Sequence, residues 1–221
     1  MAANLTKGAR GRTNKSIDPL DLTSRINELI ASDGGLSAAY AKVLKLSERM
    51  AGLRGATYIH RPYQCYMAAK IAVDGTSKFT AAVIGPGQGK TFVMLLLAHY
   101  LLDEGHTERV ALCSSSDLVH QQLSEDKRNH PPPKGNVVVL HCVDFRGSLA
   151  NGTHFILDEG DLYLRDKLLA FHGDEQVGLG SLRGKSVWLF TATLNDYWEG
   201  VWKDGLAGSV LAFQDLLSLV G

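Results

Sequence analysis

Short apolar runs alternate along this chain with longer segments in which apolar residues recur every three or four positions. The short runs predict buried strands at 79–84, 110–113, 137–141, 153–157 and 187–191. The longer segments predict helices at 62–73, 91–102, 162–169 and 211–219, with a further helix beginning over 117–123. This alternation predicts an α/β fold, with a mostly parallel sheet and helices on both of its faces.

The first 57 residues do not follow this alternation. Residues 1–15 contain four basic residues and no acidic one, so we expect a basic disordered tail there, with a nucleic-acid-binding arm as the alternative. Residues 16–57 predict two short helices, the first of which Asp21 or Thr23 can cap. The expected organisation is a tail, a helical N-terminal extension and an α/β domain over 58–221.

The composition is that of an ordinary globular protein. The formal net charge of 0 shows no overall positive field, although a local basic groove stays possible. No apolar run reaches the roughly 18 residues that predict a transmembrane helix. Cys65, Cys113 and Cys142 lie beside apolar residues, which predicts buried thiols in the cytoplasm or another reducing compartment. The histidines lack ligand spacing, so we predict no zinc.

A glycine-rich segment at 84–91 lies between a predicted strand and a predicted helix. Such a turn presents backbone N–H groups and a helix N-terminus to a polyphosphate. Lys90 would reach the β- and γ-phosphates, and the Thr91 hydroxyl would hold Mg²⁺. The first glycine of the usual pattern is replaced by Ile84. We therefore expect ATP or another NTP, with Mg²⁺, to bind at Gly85, Pro86, Gly87, Gln88, Gly89, Lys90 and Thr91.

Acidic residues follow the predicted strand at 153–157. A carboxylate at the C-terminal end of a parallel strand points into the crevice where ligands bind. Asp158 can hold Mg²⁺ there, mostly through water, and Glu159 can orient and deprotonate an attacking water. Acids that cap a following helix are the alternative. The glycine-rich turn about seventy residues upstream favours the phosphate site.

The last predicted strand ends in two threonines, Thr191 and Thr193. Their hydroxyls would lie at the same edge of the sheet as the acids and can hydrogen-bond with them. A plain turn after the strand is the alternative.

Taken in order, these segments resemble the first RecA-like lobe of superfamily 2 helicases and translocases. Residues 87–91 resemble motif I of that family, 158–161 its DExD motif II and 191–193 its motif III. The resemblance covers 58–193 and implies a RecA-like P-loop NTPase lobe. The roles it implies are catalysis for Glu159, Lys90 and Asp158, and coupling of nucleotide state to substrate grip for Asp161, Thr191 and Thr193.

Two further segments are similar to motifs of this family. Residues 61–64 are similar to the segment that reads adenine, which implies that Gln64 contacts the base, that Tyr58 or Tyr63 stacks on it, and that Arg61 belongs to the nucleotide site. Residues 113–118 fall where motif Ia lies, so Ser115 and Ser116 would contact the phosphates of a nucleic-acid strand. The resemblance thus implies single-stranded RNA or DNA as a partner.

Three functional hypotheses follow. The first is the ATPase lobe of a motor that acts on nucleic acid. The second is a lobe of a protein-translocating or remodelling ATPase like SecA, whose corresponding domain has a similar Arg-Pro and Gln before motif I and a similar acid-rich continuation after motif II. The third is a nucleotide-binding interaction module with little catalysis.

Enzymes of this superfamily have a second lobe that supplies an arginine finger. After Thr193 this chain has 28 residues (221 − 193), whereas another lobe would take about 100–150. We therefore expect a single lobe that binds ATP–Mg²⁺ and hydrolyses it slowly in isolation. The second lobe would act in trans or belong to a longer chain.

Overall fold

The computed structural model of the chain describes residues 19–54, 61–75, 79–114, 116–141, 153–159, 186–193 and 209–213. Its helices are α1 (Pro19–Ala31), α2 (Gly34–Arg54), α3 (Pro62–Asp74), α4 (Lys90–Asp103) and α5 (Asp117–Asn129). Its strands are β1 (Phe79–Val83), β2 (Arg109–Ser114), β3 (Asn136–His141), β4 (Thr153–Asp158), β5 (Val187–Thr191) and β6 (Ser209–Ala212). The predicted tail at 1–15, the predicted helix at 162–169, and Ser115, Cys142 and Asp161 lie outside these ranges.

The six strands form one sheet in the order β3-β2-β4-β5-β1-β6, and every neighbouring pair is parallel. The parallel α/β architecture predicted from the sequence is therefore confirmed. β5 lies between β1 and β4, with Val83 of β1 beside Thr191 and Asp158 of β4 beside Phe190. The residues that follow β1, β4 and β5 consequently meet at one edge of the sheet.

Both faces of the sheet are buried along its central strands. Alternate strand residues such as Leu112, Ile156 and Phe190 belong to a core shared with the helices. The intervening residues, such as Phe155 and Leu189, point to the opposite face and are buried as well. The strands therefore read as continuous apolar runs, because neither face is left to water.

Helix α4 lies at the centre of the core. Its residues from Val93 to Leu102 are nearly all buried, because α4 packs against β2 and β4 on one side and against α2 and α3 on the other. The steps from β1 to β2 and from β2 to β3 run in the same direction across the sheet, and right-handed crossovers therefore place α4 and α5 on the same face. A helix covered on most sides holds its first turn, and the loop before it, in a fixed position.

Helices α1 and α2 lie in the predicted N-terminal extension. Ile26 of α1 and Val43 of α2 are buried in the same core as Met67 of α3. The prediction that Asp21 or Thr23 caps the first helix is wrong, because α1 begins at Pro19 and both residues lie inside it. Proline suits a first turn, since its missing N–H would have no intrahelical partner there.

The prediction of a helix at 211–219 is wrong for residues 211–213, which are the part of this range that the structure describes. Residues 209–212 form β6, an edge strand that pairs with β1 in register from Thr80–Ser209 to Val83–Ala212. The pairing extends to Phe213, whose N–H donates to the carbonyl of Val83 at 2.8 Å. The open edge of β1 offers backbone partners, and this long-range pairing overrides a short apolar run that also suits a helix. Residues 214–219 lie outside the described ranges.

Two of the three cysteines, Cys65 and Cys113, are described and both are buried. Burial raises the pKa of the Cys65 thiol to about 11. Within the part of the chain that the structure describes, no helix is long and apolar enough to cross a membrane.

Candidate nucleotide site

The candidate site lies at the C-terminal edge of β1, β4 and β5. β1 runs into a turn over 84–89, and α4 begins directly after it at Lys90. Gly87 and Gly89 have φ angles of 74° and 79°, in the left-handed region that glycine adopts without strain. Because of these two glycines the chain wraps tightly and enters α4 with the helix N-terminus facing the turn.

The side chain of Gln64, on α3, packs against this turn. Its side chain is buried, at 6% exposure, and its Nε2 donates to the carbonyl of Gln88 at 3.1 Å. A Cβ atom built on Gly89 would collide with the same Nε2. The structure therefore places Gln64 directly against the backbone of the glycine-rich turn. This close approach is possible because Gly89 has no side chain.

The Gln88 side chain folds back over its own turn. Its main-chain N–H donates to the Gly85 carbonyl at 3.3 Å. Its Nε2 lies 3.1 Å from the position that a Cβ on Gly85 would occupy, so Gly85 leaves the room for this side chain. The Oε1 of Gln88 is buried without a hydrogen-bond partner. Sequence reasoning assigned only the backbone of Gln88 to the site.

Lys90 joins the glycine-rich turn to the acidic motif. β5 separates β1 from β4 by a total spacing of about 10 Å, and the turn after β1 brings Lys90, at the start of α4, within reach of the residues at the end of β4. Its Nζ lies 3.2 Å from Oδ1 of Asp158 and also forms an ion pair with Glu159. Asp158 is only 2% exposed, and a buried carboxylate is tolerated when a cation compensates its charge. The three residues predicted to be catalytic are thus in contact.

Glu159 has an unusual backbone. Its φ angle of 48° is the only positive value outside glycine among the described residues. The left-handed conformation turns the chain sharply at the end of β4 and directs the Glu159 carboxylate to Lys90. Backbone strain of this kind, of about 1–2 kcal/mol, tends to be retained at functional sites.

Thr191 connects the third predicted motif to the glycine-rich turn. Its carbonyl accepts the N–H of Ile84 at 2.9 Å. Its buried hydroxyl donates to the Thr193 carbonyl at 2.9 Å and accepts the Thr193 N–H at 3.3 Å. The prediction paired both hydroxyls with the acids, whereas these two bonds use the Thr191 hydroxyl to shape its own turn. Thr193 is exposed.

The other predicted residues are spread around this centre. Thr91 is partly buried in the first turn of α4, and Pro86 is exposed at the tip of the loop. Arg61 is exposed just before α3, and its Nη1 donates to the Tyr63 hydroxyl at 2.9 Å. Ser116 lies further along the same sheet edge, where its hydroxyl caps α5 by accepting the Val119 N–H at 3.3 Å.

Several histidines make aromatic contacts. The rings of His120 and His141 stack with centroids 4.0 Å apart, near the ends of β2 and β3. His154 stacks on Trp188 at 5.5 Å, and burial lowers the pKa of His154. Sequence spacing gave no sign of these pairs, because each joins separate elements of the fold.

Solved structures with a similar fold include a DEAD box protein and a helicase domain. A DEAD box protein from Methanococcus jannaschii has a TM-score of 0.52 and 18% identity, over 69% of this chain and 49% of that chain. The Pyrococcus furiosus Hef helicase domain has a TM-score of 0.50 and 16% identity, over 69% of this chain and 38% of that chain. A Thermus phage large terminase ATPase domain has a TM-score of 0.45 and 12% identity, over 76% and 86% of the two chains.

No protein-family model matches the sequence, and no curated protein matches it. This chain spans about half of the DEAD box protein and less than half of the Hef domain. At these identities the likeness concerns the fold, which agrees with the sheet order and with the positions of the motifs at its edge. The chain has a RecA-like α/β fold, as its sequence motifs predicted.

Proposed function

We propose that this chain is an ATP- and Mg²⁺-binding NTPase lobe of a helicase-like motor that acts on single-stranded RNA or DNA. The observation that carries the proposal is the contact of Lys90 with Asp158 and Glu159 at the mouth of the glycine-rich turn. A triphosphate with Mg²⁺ requires a lysine and a helix N-terminus beside two carboxylates. Lys90 at the start of α4, the buried Asp158 and Glu159 form this charge pattern.

The described residues fit the nucleotide with its metal. Lys90 would leave the acids for the β- and γ-phosphates, and Asp158 would then need another cation. The Asp158 carboxylate, mostly through water, and the Thr91 hydroxyl would hold Mg²⁺, which would supply that charge. Bound Mg²⁺ would also neutralise charge on the phosphates. The exchange keeps the buried Asp158 compensated throughout.

Glu159 is the proposed general base for hydrolysis. It would accept a proton from a water molecule as the water oxygen bonds to the γ-phosphorus. The bond from the γ-phosphorus to its bridging oxygen breaks, and ADP leaves with the electron pair. Lys90 would stabilise the negative charge on the γ-phosphoryl oxygens.

Gln64 would contact the base of the nucleotide. Its Nε2 is already used by the Gln88 carbonyl, which leaves Oε1 to accept from an exocyclic amino group of a base. Arg61 lies at the start of the same helix, on its exposed side, and would approach the base from outside.

The nucleic-acid partner rests on the sequence resemblance and on the helicase domains that share the fold. Ser116 and the N-terminus of α5 lie at the same edge of the sheet as the nucleotide site, and backbone N–H groups at a helix start suit phosphate contacts. Binding should weaken as salt rises, because phosphate contacts release counterions.

Hydrolysis by the isolated chain should be slow. An arginine finger contributes about 10³–10⁵ in rate in related NTPases. We propose that this arginine comes from a second lobe, supplied by a partner or by a further part of a longer protein.

Turnover by the purified chain tests the proposal. Wild type, Lys90→Ala and the control Lys45→Ala, which removes an exposed lysine of α2, would be compared for binding of a fluorescent ATP analogue and for phosphate release. We expect binding in wild type and the control, and its loss in Lys90→Ala. Adding single-stranded RNA should raise turnover, whereas an increase with unfolded polypeptide alone would favour the SecA-like alternative. Equal binding by all three proteins would contradict the proposal.

A further inference from the structure

Gln88 lies in the glycine-rich turn, and none of the roles proposed above involves its amide side chain. It stands between Gly87 and Gly89, both in the left-handed region. Its N–H is bound to the Gly85 carbonyl and its own carbonyl is bound to Gln64 Nε2. The backbone on both sides of Gln88 is therefore held, and only its side chain is left to respond to a ligand.

The amide of Gln88 folds against the turn, although the residue as a whole is partly exposed. All three of its terminal atoms lie within 3.7 Å of the position that a Cβ on Gly85 would take. Its Oε1 is buried and without a partner, which is costly for an amide oxygen. A donor that arrives with the bound ligand would satisfy this oxygen.

The chemistry of the ligand limits what that donor can be. Phosphate oxygens of ATP–Mg²⁺ only accept hydrogen bonds, so they can satisfy Nε2 of Gln88 and not Oε1. A water molecule carries the donor that Oε1 requires. Glutamine performs this task in other NTPases, where it orients the attacking water.

We propose that Gln88 positions the attacking water in this site, with Nε2 donating to a γ-phosphate oxygen and Oε1 accepting from that water. This inference rests on the proposed ATPase function. Gln88 takes no proton in the step. The water gives its proton to Glu159, the bond from oxygen to the γ-phosphorus forms, the bridging bond breaks, and ADP leaves.

Two substitutions separate water positioning from a purely structural role. Gln88→Met keeps the length of the side chain and removes both hydrogen-bonding groups. Gln88→Glu keeps an acceptor for the water but replaces the donor by a charge that repels the γ-phosphate. Gln122→Met, at an exposed site on α5, is the matched control.

The affinity for a fluorescent ATP analogue and the single-turnover rate, with protein in excess over labelled ATP, would be measured for each protein. Thermal melting would show that each variant is folded. For Gln88→Met we expect an affinity within about threefold of wild type and a rate lowered by at least about tenfold. For Gln88→Glu we expect an affinity weaker by about tenfold and a rate of the bound complex that falls less than in Gln88→Met, because an acceptor for the water remains.

The outcomes are distinct. A Gln88→Met protein that hydrolyses bound ATP at the wild-type rate would overturn the inference and leave the ATPase proposal intact. Equal loss of affinity and rate in Gln88→Met, with Gln88→Glu behaving alike, would also overturn it, because Gln88 would then only shape the turn. Wild type that fails to bind ATP would overturn the ATPase proposal and this inference together.

Discussion

Gln64 and Gly89 fit so closely that any side chain added at Gly89 would have to displace the Gln64 amide. The Nε2 of Gln64 occupies the space of a Gly89 Cβ while it donates to the neighbouring Gln88 carbonyl at 3.1 Å. Gly89 in addition has a φ angle of 79°. Packing in the core fixes the position of Gln64 on α3. Gln64 therefore favours glycine at position 89, which lies 25 positions later in the chain (89 − 64).

Gly89→Ala should destabilise the protein more than Gly87→Ala. Both glycines have positive φ angles, and a Cβ costs about 1–2 kcal/mol in that conformation. Only Gly89→Ala also displaces Gln64, because a Cβ on Gly87 meets nothing within 4 Å. We expect a further loss of about 1–3 kcal/mol for Gly89→Ala, measured by urea unfolding.

The double variant Gln64→Ala with Gly89→Ala controls for the collision. Removing the long side chain makes room for the new methyl group, so the double variant should cost less than the sum of the two single changes. Additive losses would show that Gln64 does not restrict Gly89.

Lys90→Met should destabilise the fold as well as the proposed nucleotide binding. It leaves the buried Asp158 carboxylate without the cation 3.2 Å away. We expect a loss of about 2–4 kcal/mol in unfolding free energy, since breaking one side of a buried pair exposes the desolvation cost.

Glu159→Gln should have little effect on stability, below about 1 kcal/mol, because the Glu159 side chain is one-third exposed.

Lys90→Met combined with Asp158→Asn should recover much of the lost stability. A Lys90→Met protein as stable as wild type would contradict the role of Lys90 in compensating Asp158.

Stability should fall in mild acid because of His99. Burial, then the neighbouring His130 and Arg49, lower the pKa of His99 to about 4. The unfolded chain takes up a proton near its usual pKa of about 6.5, so the stability contributed by neutral His99 is present above that pH and lost as the pH falls towards 4. The loss can reach about 3 kcal/mol.

His99→Phe should flatten the dependence of unfolding free energy on pH between about 6.5 and 4. His154→Phe should flatten it less, since burial also lowers the pKa of His154 but that ring is only partly buried. An unchanged slope in His99→Phe would exclude His99 as the source of acid sensitivity.

Ser116 allows capping and phosphate binding to be separated. Ser116→Ala should cost about 1 kcal/mol, because the Val119 N–H loses its acceptor. Ser116→Asp should keep the cap and the stability, while its negative charge weakens binding of single-stranded RNA.

Anisotropy of a labelled RNA across a range of salt concentrations would measure that effect. We expect weaker RNA binding by Ser116→Asp than by Ser116→Ala at low salt, with the difference shrinking as salt rises. Tighter or unchanged binding by Ser116→Asp would remove the N-terminus of α5 from the nucleic-acid surface.

Local sequence signals were sufficient for most of the fold. The five apolar runs that predicted strands became β1 to β5, because buried parallel strands carry their apolar signal in every residue. β6 was missed because Ser209–Ala212 is short and its structure depends on pairing with β1, more than 120 positions away (209 − 80). A pattern read over neighbouring residues contains no information on such a partner.

The sequence by itself determined that a lysine, two acids and two threonines would gather at one edge of a parallel sheet, since each follows a predicted strand. Only the tertiary structure decided which of them touch. The insertion of β5 between β1 and β4, the left-handed turn at Glu159 and the seating of Gln64 under the glycine-rich turn set those contacts. Each of these contacts depends on strand order or helix packing. Both bring together residues that are far apart in the chain, so neither can be read from the periodicity of the sequence.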